Sequence, residues 1–176
     1  GYYLQAAAGQ AGVMRARQAM EKVLADPGTP PALRQQLLEV DAALLFARLE
    51  LALPASESYR HYADLKRPYV VWNVFAAPEF SLEPREWCYP VAGCTAYRGW
   101  FSEARARESA AELAARGYDV FVGGVAAYST LGWFDDPVLS TMLGEDETGL
   151  AGLLFHELAH QRLYVPGDTL FNEGFA

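Results

Sequence analysis

The stretch Phe155-His156-Glu157-Leu158-Ala159-His160-Gln161 constrains this chain more than any other. Its pattern is H-E-x-x-H, set among Leu150, Leu153 and Leu154. On a helix, His156 and His160 lie one turn apart on one face, where two imidazoles can share one Zn²⁺. Glu157 projects about 100° further round, beside the metal, where it can reach a bound water as general base without being a ligand. Catalytic zinc takes three protein ligands and keeps one position open. Glu173, in Asn172-Glu173-Gly174-Phe175-Ala176, lies far enough downstream for a turn and the start of a second helix. The expected ligand set is therefore His156, His160 and Glu173. The bland alternative is a buried helix with two hydrogen-bonded histidines. Against it, the chain has 3 histidines and two fall in this motif. Polar groups on so apolar a helix also need a reason to be there. The remaining histidine, His61, reads as a surface or hydrogen-bonded residue in a short polar-aromatic stretch.

Composition narrows the class. With 176 residues the chain is one domain, long enough to bury a core. Hydrophobic residues make up 52% and aromatics 13%, which excludes a disordered chain. The net charge is −8 without a basic cluster, which argues against nucleic-acid binding. No apolar run approaches the roughly 18 residues of a membrane span. The chain begins Gly1-Tyr2-Tyr3 without Met, as expected of a processed or trimmed protein. Cys88 and Cys94 could close a small disulfide loop or remain two buried thiols, and their spacing is not a usual zinc pair.

Along the chain, residues 2–25 read as an Ala-rich helix, weakened by Gly9 and Gly12 and ended by Pro27-Gly28. Residues 31–53 read as a stronger helix with the stripe Leu33, Leu37, Val40, Leu44, Ala47 and Leu51. The two form an expected antiparallel hairpin. Residues 69–76 read as a strand and 91–101 as a further strand or hairpin. Residues 102–116 form a helix with Ser102 as N-cap and Gly117 past its end. Residues 118–127 are strand-like, and Gly123-Gly124 mark a bulge or a close backbone approach. Residues 137–143 read as a short helical turn. The metal helix spans 147–163, and Gly152 leaves room on its site-facing side. Glu145-Asp146-Glu147 favours its N-terminus. Asp168 caps the next helix, which starts at Thr169 and carries Glu173. The fold expected is α+β: a small, mainly antiparallel sheet packed on the metal helix in residues 55–176, with the helical hairpin in 1–54.

His156-Glu157-Leu158-Ala159-His160-Gln161, Tyr164, Asp168 and Phe171-Asn172-Glu173 resemble the predicted zinc-dependent aminopeptidase family of bacteria. So do Trp87-Cys88-Tyr89-Pro90-Val91-Ala92-Gly93-Cys94, Tyr97-Arg98-Gly99 and the run from Val122 to Pro137. The resemblance covers nearly the whole chain. It implies a zincin-like fold related to thermolysin-like peptidases, with a glutamate as third zinc ligand and peptides as substrate. In such peptidases an edge strand binds the substrate as an added strand. The resemblance thus implies that Gly124, Val125, Ala126 and Tyr128 line the cleft. It also implies an exported, periplasmic lipoprotein with a lipid anchor upstream of residue 1. Family members run to about twice this length, so the chain would be the N-terminal half of a longer metallopeptidase.

The expected chemistry is hydrolysis with Glu157 as proton carrier. A donor to the oxyanion is also expected, with Tyr164 and Tyr128 as candidates. Asp135, Asp136 and Asp168 are candidates for orienting the histidines. "Aminopeptidase" rests on the resemblance alone. Two other readings stand beside it: a cell-envelope binding or assembly module with a structural or vestigial metal site, and a zinc hydrolase acting on a non-peptide amide.

Overall fold

The computed structural model describes residues 1–54, 57–89, 93–130, 133–144 and 147–176. Its first four elements are α1 (Tyr2–Ala16), β1 (Arg17–Ala19), α2 (Met20–Ala25) and α3 (Pro31–Leu49). The expected helix over 2–25 is thus split. Arg17, Gln18 and Ala19 leave the helix to pair antiparallel with Ala63, Tyr62 and His61 of β2 (His61–Ala63). This tertiary pairing outweighs the helix propensity of an Ala-rich stretch. Only the short α2 turns back onto α3. α1 is held elsewhere: the Gln5 side chain accepts from the Phe101 N–H at 3.1 Å, and Tyr2 stacks on Tyr89 at 5.7 Å. Gly9 lets α1 come down on the Phe101 ring, where a Cβ would meet ring carbon at 2.1 Å. α3 has a proline in its first turn, as helix starts favour, and ends before the expected residue 53.

β3 (Val71–Pro78) is the centre of an antiparallel sheet. Between it and the chain's next helix lie β4 (Trp87–Tyr89), β5 (Gly93–Thr95) and β6 (Tyr97–Trp100). Then come α4 (Glu103–Ala114) and β7 (Tyr118–Val125). The sheet order is β6-β3-β7, so β7 is an edge strand. The two-residue period of β3 sends Trp72, Val74 and Ala76 beneath α4, against Ala106, Ala110 and Leu113. Val71, Asn73 and Phe75 face the other way. α4 is capped as its sequence indicates: the Ser102 hydroxyl accepts from the Arg105 N–H, and Gly117 follows at φ +83°. β4 and β5 pair as a separate two-stranded ribbon, and the opposed Cys88 and Cys94 are disulfide-bonded.

β8 (Val138–Leu139) opens the stretch expected to be a helical turn, and the turn itself follows over residues 140–144. β8 pairs parallel with the free side of β2, which buries Val138 and Leu139 completely. α5 (Glu147–Arg162) and α6 (Thr169–Phe175) close the chain. Leu150, Leu154 and Leu158 form the buried stripe of α5, each at or below 2% exposure. They pack in one core with Leu37, Val40 and Leu44 of α3 and with Tyr62, Val70 and Met142. Each such leucine contributes roughly 2 kcal/mol by burial. That fixes which face of α5 remains for the histidines. The acidic run Glu145-Asp146-Glu147 lies outside the described residues, apart from the backbone of Glu147. Among the described residues no helix is long and apolar enough to cross a membrane.

Candidate metal and active site

The 3.6-residue period of α5 sets His156 and His160 over one another. Their Nε2 atoms are 3.1 Å apart and their rings nearly perpendicular, at 85°. α6 brings the carboxylate of Glu173 to the pair: Oε2 lies 3.3 Å from His156 Nε2, and Oε1 3.7 Å from His160 Nε2. One ligand atom from each of the three residues falls within 4.8 Å of the others. Two imidazoles and one carboxylate turned on a common point are the donor set that zinc prefers in catalytic sites. His160 is buried, and burial followed by the nearness of His156 lowers its pKa, with Glu173 opposing. The neutral imidazole so favoured is the metal-binding form.

Glu173 stands on a helix of only 7 residues, which needs outside support. Asp168 supplies part of it as N-cap, accepting from the Phe171 N–H at 3.0 Å. Asn172 supplies more. It is 2% exposed; its Oδ1 accepts from the Val165 N–H at 2.7 Å and its Nδ2 donates to the Val165 carbonyl at 2.8 Å. This two-point clamp ties α6 to the turn after α5, where Gly167 adopts φ +85°. The disulfide ribbon passes near that turn: a Cβ on Gly93 (φ +73°) would stand 3.5 Å from the Gly167 nitrogen, an ordinary contact. Nothing in the sequence alone marks Asn172 for this role. Its local signal is weak, because the partner, Val165, is fixed only once the turn has formed.

Glu157 is buried beside the histidines. Its carboxyl is pushed up to about 7, first by burial and then by Asp136 and Glu173. Asp136 is itself 3% exposed, with its pKa raised by burial. It accepts from the Thr130 N–H at 2.7 Å and the Thr130 hydroxyl at 3.0 Å. Asp136 therefore fastens the segment before β8 and does not bond a histidine. Asp135 is exposed, and its carbonyl accepts from Arg17 at 3.1 Å. Asp168 is used as a cap. None of these three orients a histidine in a hydrogen bond among the described residues, where His160 Nδ1 is buried without a partner. His61 lies on β2, outside the cluster. Glu86 is near Cys88 and Cys94, but bonded sulfurs are not thiolate ligands.

The cluster opens on a cleft of about 410 Å³. His156, Glu157, His160, Tyr164 and Glu173 form one side, and Val71, Asn73, Thr95, Tyr97, Val125 and Tyr128 contribute to the rest. A neighbouring groove of about 470 Å³ shares His156 and Glu157 and runs between Val125-Ala126-Ala127 and Gly149, Gly152 and Leu153. Nothing lies within 4 Å of where a Gly152 Cβ would stand, so the expected room is there. Val125, Ala126 and Tyr128 are thus at the cleft, whereas Gly124 is not. It faces the other way, and a Cβ on it would meet the Tyr69 ring at 2.2 Å. The alternation of a strand explains why adjacent residues part company. Of the two candidate donors, Tyr128 spends its hydroxyl on the Gln10 side chain and packs its ring on Phe101. Tyr164 sets its ring edge-on to His160, at 6.4 Å. Asn73, Thr95 and Tyr97 were not foreseen, because only the sheet brings them opposite α5.

A family model described as "Putative aminopeptidase" matches residues 1–176. No curated protein and no solved structure matches the chain. Since the family match runs from the first residue to the last, the chain belongs to the putative aminopeptidase family.

Proposed function

We propose that the protein is a zinc-dependent metallopeptidase of zincin-like fold, with His156, His160 and Glu173 as metal ligands and Glu157 as general base. One observation carries this reading: three ligand atoms within 4.8 Å of one another, with a buried carboxyl beside them whose pKa is about 7. A buried carboxylate beside the metal position suits proton transfer from water. A bound zinc would supply a water of lowered pKa and a Lewis acid for the carbonyl oxygen. Glu157 takes a proton from the attacking water and returns it to the leaving amine. The edge strand β7 and the residues after it, Ala126-Ala127, receive the peptide as an added strand, and Gly152 leaves it room. The family to which the chain belongs supports the peptidase class. The Cys88–Cys94 bond supports an exported protein working in an oxidising compartment. Against a closed structural metal site speaks the half-buried His156, which opens onto both the cleft and the groove.

The test is metal content and turnover together. Wild-type protein should hold one zinc per chain and hydrolyse members of a peptide panel. His156→Ala should lose the zinc. Glu157→Gln should keep it and lose at least ~100-fold in kcat, as expected of a general base. Zinc at full occupancy without turnover on any peptide would favour the binding-module reading, and turnover unchanged in Glu157→Gln would remove the mechanism.

A further inference from the structure

The four residues with assigned chemistry, His156, Glu157, His160 and Glu173, come from α5 and α6 and form one side of the cleft. The facing side is the open face of the β6-β3-β7 sheet and the end of β5. A peptide in the cleft lies between the two. Hydrolysis builds negative charge on the carbonyl oxygen, and preorganised donors to that oxygen are a large part of catalysis. The helical side offers ligands and a base. The facing side is where a donor to that oxygen would stand.

Three tyrosines reach the cleft: Tyr97, Tyr128 and Tyr164. The Tyr128 hydroxyl is already bonded to Gln10. Tyr164 stands on the ligand side, against His160. Tyr97 is the tyrosine of β6, projecting from the facing wall. Phe75, directly opposite it in the sheet, holds its ring at 5.6 Å. The Thr95 hydroxyl donates to the Tyr97 carbonyl at 2.7 Å, which steadies its backbone. Among the described residues its own hydroxyl has no hydrogen-bond partner. Next along the cleft face is Asn73, paired in register with Gly99 and Gly123.

We infer that Tyr97 is a further catalytic residue of this site, donating a hydrogen bond from its hydroxyl to the substrate carbonyl oxygen as charge builds there. The inference rests on the metallopeptidase reading. The hydroxyl keeps its proton throughout. The water oxygen bonds to the carbonyl carbon, the carbon–nitrogen bond breaks, and the proton that passes through Glu157 leaves on the amine.

The experiment uses zinc-loaded wild type, Tyr97→Phe and Tyr164→Phe, with Tyr118→Phe on the far side of the sheet as control. Peptide hydrolysis is followed beside calorimetric binding of a phosphinic pseudopeptide, whose tetrahedral oxygens mimic the charged intermediate. Tyr97→Phe should lose about 100-fold or more in kcat with little change in KM. It should bind the phosphinic ligand at least ~10-fold more weakly, with zinc content and thermal unfolding unchanged. Rates and binding within about twofold of wild type in Tyr97→Phe, or a loss of that size in Tyr164→Phe alone, would overturn the assignment while the peptidase reading stands. If wild type binds the phosphinic ligand but cleaves no peptide, the calorimetric difference alone decides Tyr97. Wild type that neither binds nor cleaves removes the peptidase reading, and Tyr97's role with it.

Discussion

Glu157 shows how the site sets itself against stability. Its carboxyl titrates near 4.5 in an unfolded chain and at about 7 in the fold. A carboxyl whose pKa is raised on folding costs stability as pH rises. The cost is absent below the unfolded value, grows between the two, and is complete above the folded one. At pH 8 it comes to about 3 kcal/mol. Glu157→Gln in the metal-free protein should therefore gain of that order at pH 8 and almost nothing at pH 4, read from urea midpoints. An equal gain at both would mean that burial does not act through ionisation. Asp136, whose pKa is also raised by burial, shifts the wild-type curve in the same direction. Zinc beside Glu157 favours the ionised carboxylate, so the penalty should shrink on metal addition.

At the scale of elements, α6 is the weakest part of the site and Asn172 its main support. Asn172→Ala removes both bonds to Val165 and leaves that turn unpaired. Zinc affinity should fall by about 10- to 100-fold, measured by competition with a chelating dye. The fold as a whole should lose only about 1–3 kcal/mol. α1 offers a test in which two principles give opposite signs. Alanine is a better helix former than glycine by about 1 kcal/mol. Yet a Cβ at position 9 collides with the Phe101 ring, and overpacking costs about 1–3 kcal/mol. Gly9→Ala should thus leave the protein no more stable, and by thermal melting somewhat less.

The same elements show what the sequence could and could not disclose. α4 was legible because its signals are local: Ser102 ahead of it and Gly117 behind. α5 was legible through one apolar stripe and one motif, and Asp168 announced α6. β1 and β8 were not, for two- and three-residue strands have no periodicity of their own and exist only through pairing with β2. Gly123-Gly124 gave a correct hint of close approach, but not which of the two would serve it. Tyr97 and Asn73 gave none, because their place opposite α5 depends on sheet register.

Over the whole molecule, two apolar clusters support the two sides of the cleft. One holds the helical side: α3, α5 and the β1-β2-β8 sheet. The other holds α4 against the back of β3. The disulfide ribbon lies between these halves: its Thr95 lines the cleft, and its Gly93 passes near the turn before α6. Replacing Cys88 and Cys94 by serine together should cost roughly 2 kcal/mol. It should also loosen zinc by several-fold, in a protein that still folds; a loss of stability with zinc affinity unchanged would confine the bond to the ribbon. The nearness of Gly93 to Gly167 has a consequence in time. On the metallopeptidase reading, a copy whose thiols are still free should hold Glu173 less firmly and bind zinc less well. Oxidation of Cys88 and Cys94 would then complete the site after the chain has folded.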